Sequence, residues 1–156
     1  ADAVRNPPLA ERLFLTALDL ADAREGALFV LLRDEAAAVG ELIARGDRLD
    51  EMEAGDQSSV RRDLRYLLRG RTATSLDPSV LQALARIDGA TVMDMSGRLI
   101  AIGAILMHPS VPDASGLAIE GARTTAAMTA GRFGPVLKVS EDGVITFFDG
   151  ARHWDI

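Results

Sequence analysis

Cysteine is absent from the chain, so neither a disulfide framework nor a thiolate metal site is open to it. Histidine is nearly absent. His108 and His153 stand too far apart in sequence to form a local ligand pair, which argues against a His-rich zinc site. Aromatic residues make up only 4%, so a core has to come from Leu, Val, Ile and Ala. Positive charge is in deficit: 17 Lys and Arg against 23 Asp and Glu give a net charge of −6, and a general nucleic-acid binder needs the opposite balance. No apolar run approaches the ~18 residues of a membrane span. The longest, LIAIGAILM from Leu99 to Met107, has strand length. No basic segment precedes an apolar one in the manner of a secretory leader. These absences lead us to expect a cytoplasmic domain, with no membrane span in this chain and no nucleic-acid partner. The first residue is Ala, not Met, which fits a fragment of a longer protein.

What is present suits one compact domain over residues 1–156, 48% hydrophobic. NPPLAERLFLTALDLADAREG opens with Pro at a first-turn position and stops at Gly26. Between them Leu9, Leu13, Leu15, Leu18 and Leu20 recur at roughly helical spacing. ALFVLLR, Ala27 to Arg33, reads as a buried strand, and DEAAAVGELIARG as a helix that stops at Gly46. The stretch from Asp47 to Ser59 is polar and irregular. SVRRDLRYLLRG places Val60, Leu64, Leu67 and Leu68 on one helical face with arginines opposite. Those arginines read more simply as a solvated face than as a phosphate-facing one.

In DPSVLQALARID, Asp77 is an N-cap, Pro78 opens the helix, and Val80, Leu81, Leu84 and Ile87 are its apolar positions. GATVMDMSGRLIAIGAIL is a strand, a Ser96-Gly97 turn and a second strand. A Pro- and Ser-rich loop follows, then a helix from Arg123 to about Arg132. PVLKVSEDGVITFFDG closes as a hairpin turning at Asp142-Gly143. The order implies an α/β fold, a single domain with a central mixed β-sheet flanked by helices.

Three short stretches put polar groups at the ends of elements beside glycine. Asp88-Gly89-Ala90 sits at a helix-to-strand junction, where an Asp is commonly just a turn residue. It is also placed to hold a metal or accept a proton from a hydroxyl. AIEGARTTAAMTAGRF opens a small-residue helix. Gly121 frees the turn, Thr124 or Thr125 serves as cap, and the free amides with Arg123 form an anion site. The simpler alternative is a capped core helix with a surface arginine. In VSEDG, Ser140 and Glu141 precede a turn that is either solvated or able to share a divalent cation with Asp88.

The three stretches, in this order, resemble the diadenylate cyclase domain of the DNA-integrity-scanning (DisA) superfamily. That family carries Asp-Gly-Ala after a helix, Gly-Thr-Arg-His-Arg-Ala-Ala at a helix start, and Ser-Glu before a Gly turn. Asp88-Gly89-Ala90 matches the first motif in full. Gly121, Arg123, Ala126 and Ala127 match the second, while Ala122, Thr124 and Thr125 depart from it; Ser140-Glu141 and Gly143 match the third. REGALFVLLR and ARGDRLDE extend the likeness upstream, so that it spans roughly residues 25–150.

The resemblance implies an α/β fold whose active members join two ATP molecules into cyclic di-AMP with Mg²⁺ or Mn²⁺. Two domains meet face to face in that reaction, so a homo-oligomer is implied. It also implies Asp88 and Glu141 as catalytic, metal-binding carboxylates, and Gly89, Ala90, Gly121, Arg123, Thr124, Thr125 and Ser140 as the nucleotide-binding set. The departures matter chemically. Two cationic positions of Arg-His-Arg are neutral threonines here, and losing one fixed donor to developing charge costs ~10²–10³ in rate. We therefore expect a nucleotide or cyclic-dinucleotide sensor with weak or no cyclase activity. The alternative is an active diadenylate cyclase, and a third possibility is a dimerisation module without ligand.

Overall fold

In the computed structural model the described residues are 5–49, 59–107 and 121–156. His108 and the loop that it opens lie outside them, as do residues 50–58 of the polar stretch.

The helix α1 (Pro7–Asp22) is started by Asn6, whose side chain accepts the amide of Leu9 at 3.3 Å, with proline in the first turn. Of its leucines, Leu9, Leu13 and Leu20 are buried together with Thr16 and Ala17. Leu15 and Leu18 point outward, so the buried stripe is narrower than the leucine spacing suggested. The strand β1 (Ala27–Leu32) is buried along its whole length and forms the centre of the sheet. Next comes α2 (Glu35–Leu42), capped by Asp34, which ends short of the expected Gly46 because Ile43 turns extended; a 3₁₀ turn (Arg45–Asp47) follows.

Two further helices, α3 (Ser59–Leu68) and α4 (Pro78–Ala85), precede β2 (Ala90–Asp94) and β3 (Leu99–Ala104). The chain then forms α5 (Ala122–Ala130), β4 (Val136–Val139), β5 (Ile145–Asp149) and β6 (Arg152–Asp155). The exposed strand β6 was not expected from the sequence. It extends the sheet beyond β5 after a turn at Gly150, whose φ of +63° suits glycine.

The α3 face is a correction. Among the described side chains of that face, Leu64 and Leu67 are exposed and Leu68 joins a core cluster with Leu49, Leu84, Leu99 and Ile102; the Val60 side chain lies outside the described ones. Arg65 is instead buried, 6% exposed, where it donates to the Gly46 carbonyl and pairs with Asp47 at 3.7 Å. The carbonyls and carboxylate of the 3₁₀ turn need a donor more than the core needs another leucine.

The sheet order is β3-β2-β1-β4-β5-β6, with β1 and β2 parallel and every other pair antiparallel. Alternation along β1 sends Leu28, Val30 and Leu32 to one face, against Ala38 and Leu42 of α2 and Ala127 and Ala130 of α5. Phe29 and Leu31 go to the other face, against Leu9, Leu13 and Leu20 of α1 and Leu81 of α4. The result is a three-layer α/β/α domain, as expected.

The β2–β3 turn is held by one carboxylate. Asp94 accepts the Ser96 amide and hydroxyl (2.9 and 2.6 Å), the Arg98 amide (3.0 Å) and Arg98 Nε (3.3 Å), while Arg98 also reaches Glu35. Partial burial pushes this carboxyl up, but the Ser96 and Arg98 donors outweigh it and hold Asp94 below the usual carboxylate range. A carboxyl with a lowered folded pKa adds stability above its unfolded pKa of about 3.9, and that stability is lost as pH falls through the folded value. Asp94→Asn should therefore cost roughly 1–3 kcal/mol at pH 7 in denaturant titrations. The gap to wild type should narrow as pH drops below about 4; a gap that is constant with pH would contradict this account.

Candidate functional site

The topology alone gathers the chemistry. Gly26 immediately precedes β1 and Asp88-Gly89 immediately precede β2, and these two strands run parallel. The strands β3 and β4 run antiparallel to them, so Ile105 after β3 and Ser140 after β4 emerge at the same end of the sheet. The start of α5 lies there too, and it lines cavities with residues of both neighbouring groups. The common rule for open α/β sheets puts ligands at the carboxyl ends of parallel strands. Here the clefts open at the amino ends of β1 and β2.

A cleft of about 340 Å³ is lined by Asp88, Gly89 and Ala90 on one side and Gly121, Ala122, Arg123 and Ala126 on the other; Leu28, Ala104, Ile105 and Leu106 complete its wall. Its size is in the range of small-molecule sites, and most of its lining is apolar. Gly89 has φ +106°, and a Cβ there would meet Gly103 and Ala104 backbone atoms at 2.5–2.8 Å. Only glycine lets the chain enter β2 this close to β3.

A second cavity of about 250 Å³ is lined by Gly121, Arg123, Thr124, Lys138, Ser140, Glu141 and Asp142. The two cavities share Gly121 and Arg123; Asp88 lines the first and Glu141 the second. Eight of the nine sequence-predicted residues thus line one cavity or the other. Thr125 lines neither. Asp88 and Glu141 are both exposed. Among the described residues there is no group of three or more His, Asp or Glu side chains arranged to hold a metal.

The helix start differs in detail from the expectation. Gly121, not a threonine, occupies the N-cap, and no side chain caps the helix. The helix begins at Ala122, so Thr124 and Thr125 are already inside it, their amides donating to the Gly121 carbonyl. The Thr124 hydroxyl accepts instead from Lys138 Nζ, at 2.9 Å. The Arg123 guanidinium lies over Gly26, where any side chain would displace it. Arg24, in a left-handed conformation (φ +59°), donates to the Asp142 carbonyl and fixes the hairpin turn beside the second cavity.

Gly26, Arg24 and Lys138 were not singled out by sequence reasoning. Lys138 did leave a trace: in VLKV it is a charge on a strand otherwise made of core residues.

No family model matches the chain, and neither does any curated protein. Among solved structures it matches a hypothetical membrane-spanning protein from Bacillus cereus, with TM-score 0.61, 18% identity and 94% of this chain covered. The chain spans 62% of that protein's length. It also matches a double-cysteine variant of DacA from Staphylococcus aureus, with TM-score 0.55, 17% identity, and 94% and 85% of the two chains covered. The chain is similar in fold to DacA. Among the described residues no helix is long and apolar enough to cross a membrane.

Two glycines separate the roles at this end of the sheet. Gly89→Ala should cost about 2–4 kcal/mol, because strained φ and a backbone clash coincide. Gly26→Ala meets only the flexible tip of Arg123 and should leave unfolding free energy within about 1 kcal/mol of wild type. Paired denaturant titrations check this, and equal costs would contradict it.

Proposed function

We propose that this chain is a nucleotide-binding domain of the diadenylate cyclase type that works as a nucleotide or cyclic-dinucleotide sensor, with weak or no cyclase activity. The observation that carries the reading is Arg123, a cation shared by an apolar cleft and a polar basin. The cleft wall of Leu28, Ala90, Ala104, Leu106 and Ala126 suits a nucleoside, and the basin beyond Arg123 suits its phosphates. Arg123 presents a fork of donors to phosphate oxygens, helped by the uncapped amides of α5. The fold likeness to DacA and the motif order both support this reading. It carries with it a cytoplasmic setting, where ATP is found, and pairing of two copies face to face.

Divalent metal fits the donor set only in part. Asp88 and Glu141 would each offer a carboxylate to Mg²⁺ or Mn²⁺, with phosphate oxygens as further donors, since the described residues include no closed cage. The ion, when bound, would neutralise phosphate charge. Asp88, which lines the apolar cleft, would accept a proton from a sugar hydroxyl.

A second reading, an active diadenylate cyclase, is favoured by two exposed carboxylates, Asp88 and Glu141, in the linings of the cavities that share Arg123. The two readings part on turnover. In calorimetric titrations the protein should bind ATP or cyclic di-AMP with sub-millimolar affinity, and Arg123→Ala should weaken binding about tenfold or more. Incubated with ATP and Mn²⁺ at high protein concentration, it should form little or no cyclic di-AMP. Robust turnover would establish the second reading, and absence of binding to any nucleotide would remove both.

A further inference from the structure

The side chain that least fits its place in the sheet is Lys138. The strand β4 is an inner strand, between β1 and β5, and Lys138 stands opposite Leu28 on one side and Thr146 on the other. Alternation puts it on the same face as Val136, which is fully buried against α5. A β-branched aliphatic residue would pack better there than a stem that must keep an ammonium solvated.

Its placement has a direction. Nζ reaches the Thr124 hydroxyl at 2.9 Å, and the side chain walls the second cavity together with Arg123 and Ser140. An ammonium has three donors. Among the described residues the partner of Lys138 is that one neutral hydroxyl, and no carboxylate lies within ion-pair distance. The Arg123 guanidinium likewise makes no hydrogen bond or ion pair among the described residues. Two cations, Arg123 and Lys138, and two carboxylates, Glu141 and Asp142, therefore line one concave basin, while the third and fourth residues of the helix, Thr124 and Thr125, are neutral.

We propose that Lys138 is a phosphate-binding residue: with Arg123 it grips the polyphosphate of a nucleoside triphosphate and supplies the second cation that the start of α5 lacks. This rests on the nucleotide-binding reading above and adds to it a preference for ligands rich in phosphate charge. A lysine serving only to tie α5 to β4 through Thr124 would stabilise the fold and be blind to the number of phosphates.

The test is calorimetric titration of wild type, Lys138→Met, Lys138→Gln and Lys138→Arg with AMP, ADP, ATP and inorganic tripolyphosphate, with thermal melting alongside. Wild-type affinity should climb from AMP to ATP. The Met and Gln variants should lose about tenfold or more for ATP and tripolyphosphate, and no more than a few-fold for AMP, while Arg restores most of the loss. The proposal is overturned if the neutral variants bind ATP as wild type does. It is equally overturned if they weaken AMP and ATP alike, or lower the melting temperature with the dependence on phosphate number intact. Lys138-dependent tripolyphosphate binding without any nucleotide binding would uphold the lysine's role and remove the nucleotide reading. If wild type binds neither, both fall.

Discussion

The strand directions around β1 are the constraint on which everything else depends. The strand β1 pairs parallel to β2 on one side and antiparallel to β4 on the other, and β3 returns antiparallel to β2. With these directions, the turns entering β1 and β2 and the turns leaving β3 and β4 must share one end of the sheet. Residues as distant in sequence as Gly26, Asp88, Arg123 and Ser140 become neighbours for that reason alone. Both faces of β1 are covered by helices, so a register slip would exchange its two buried faces. The burial of Phe29, Val30 and Leu31 thus fixes the strand pairing, and the pairing fixes the position of the clefts.

Around those clefts, small residues act by what they leave open. Gly89 allows β2 to begin against the backbone of β3, and Gly26 leaves room for the Arg123 guanidinium. Ala122 and Ala126 keep the helix close to the sheet without filling the cleft. Charge is then placed in their linings: Asp88 in the first, Glu141, Asp142 and Lys138 in the second, and the Arg123 guanidinium in both. The chain is acidic overall, so its anion-binding capacity depends on this local arrangement and not on net charge.

Much of this was legible in the sequence. First-turn proline announced α1, proline with the Asp77 cap announced α4, and glycine turns announced both hairpins, because each signal acts within a few residues. The α5 cap was misplaced since Gly121 opened the helix before the threonines could. The face of α3 was misjudged because Arg65 answers polar groups of the turn at residues 45–47, which periodicity within α3 does not contain. The strand β6 escaped notice because its pattern is that of an exposed edge, held by pairing to β5 and by Trp154 against Phe147.

The sequence by itself determined the order of the elements from α1 to β5, the α/β class, the buried strand β1 and the three polar stretches beside glycines, since each is encoded by short-range periodicity or turn chemistry. Only the tertiary structure decided that Asp88 and Glu141 line two adjoining cavities that share Arg123. It alone turned Lys138 from a strand residue into a neighbour of Thr124. The physical reason is that side-chain proximity across a sheet follows from strand order and register, which depend on how distant segments bury one another. No local window of the chain contains that information.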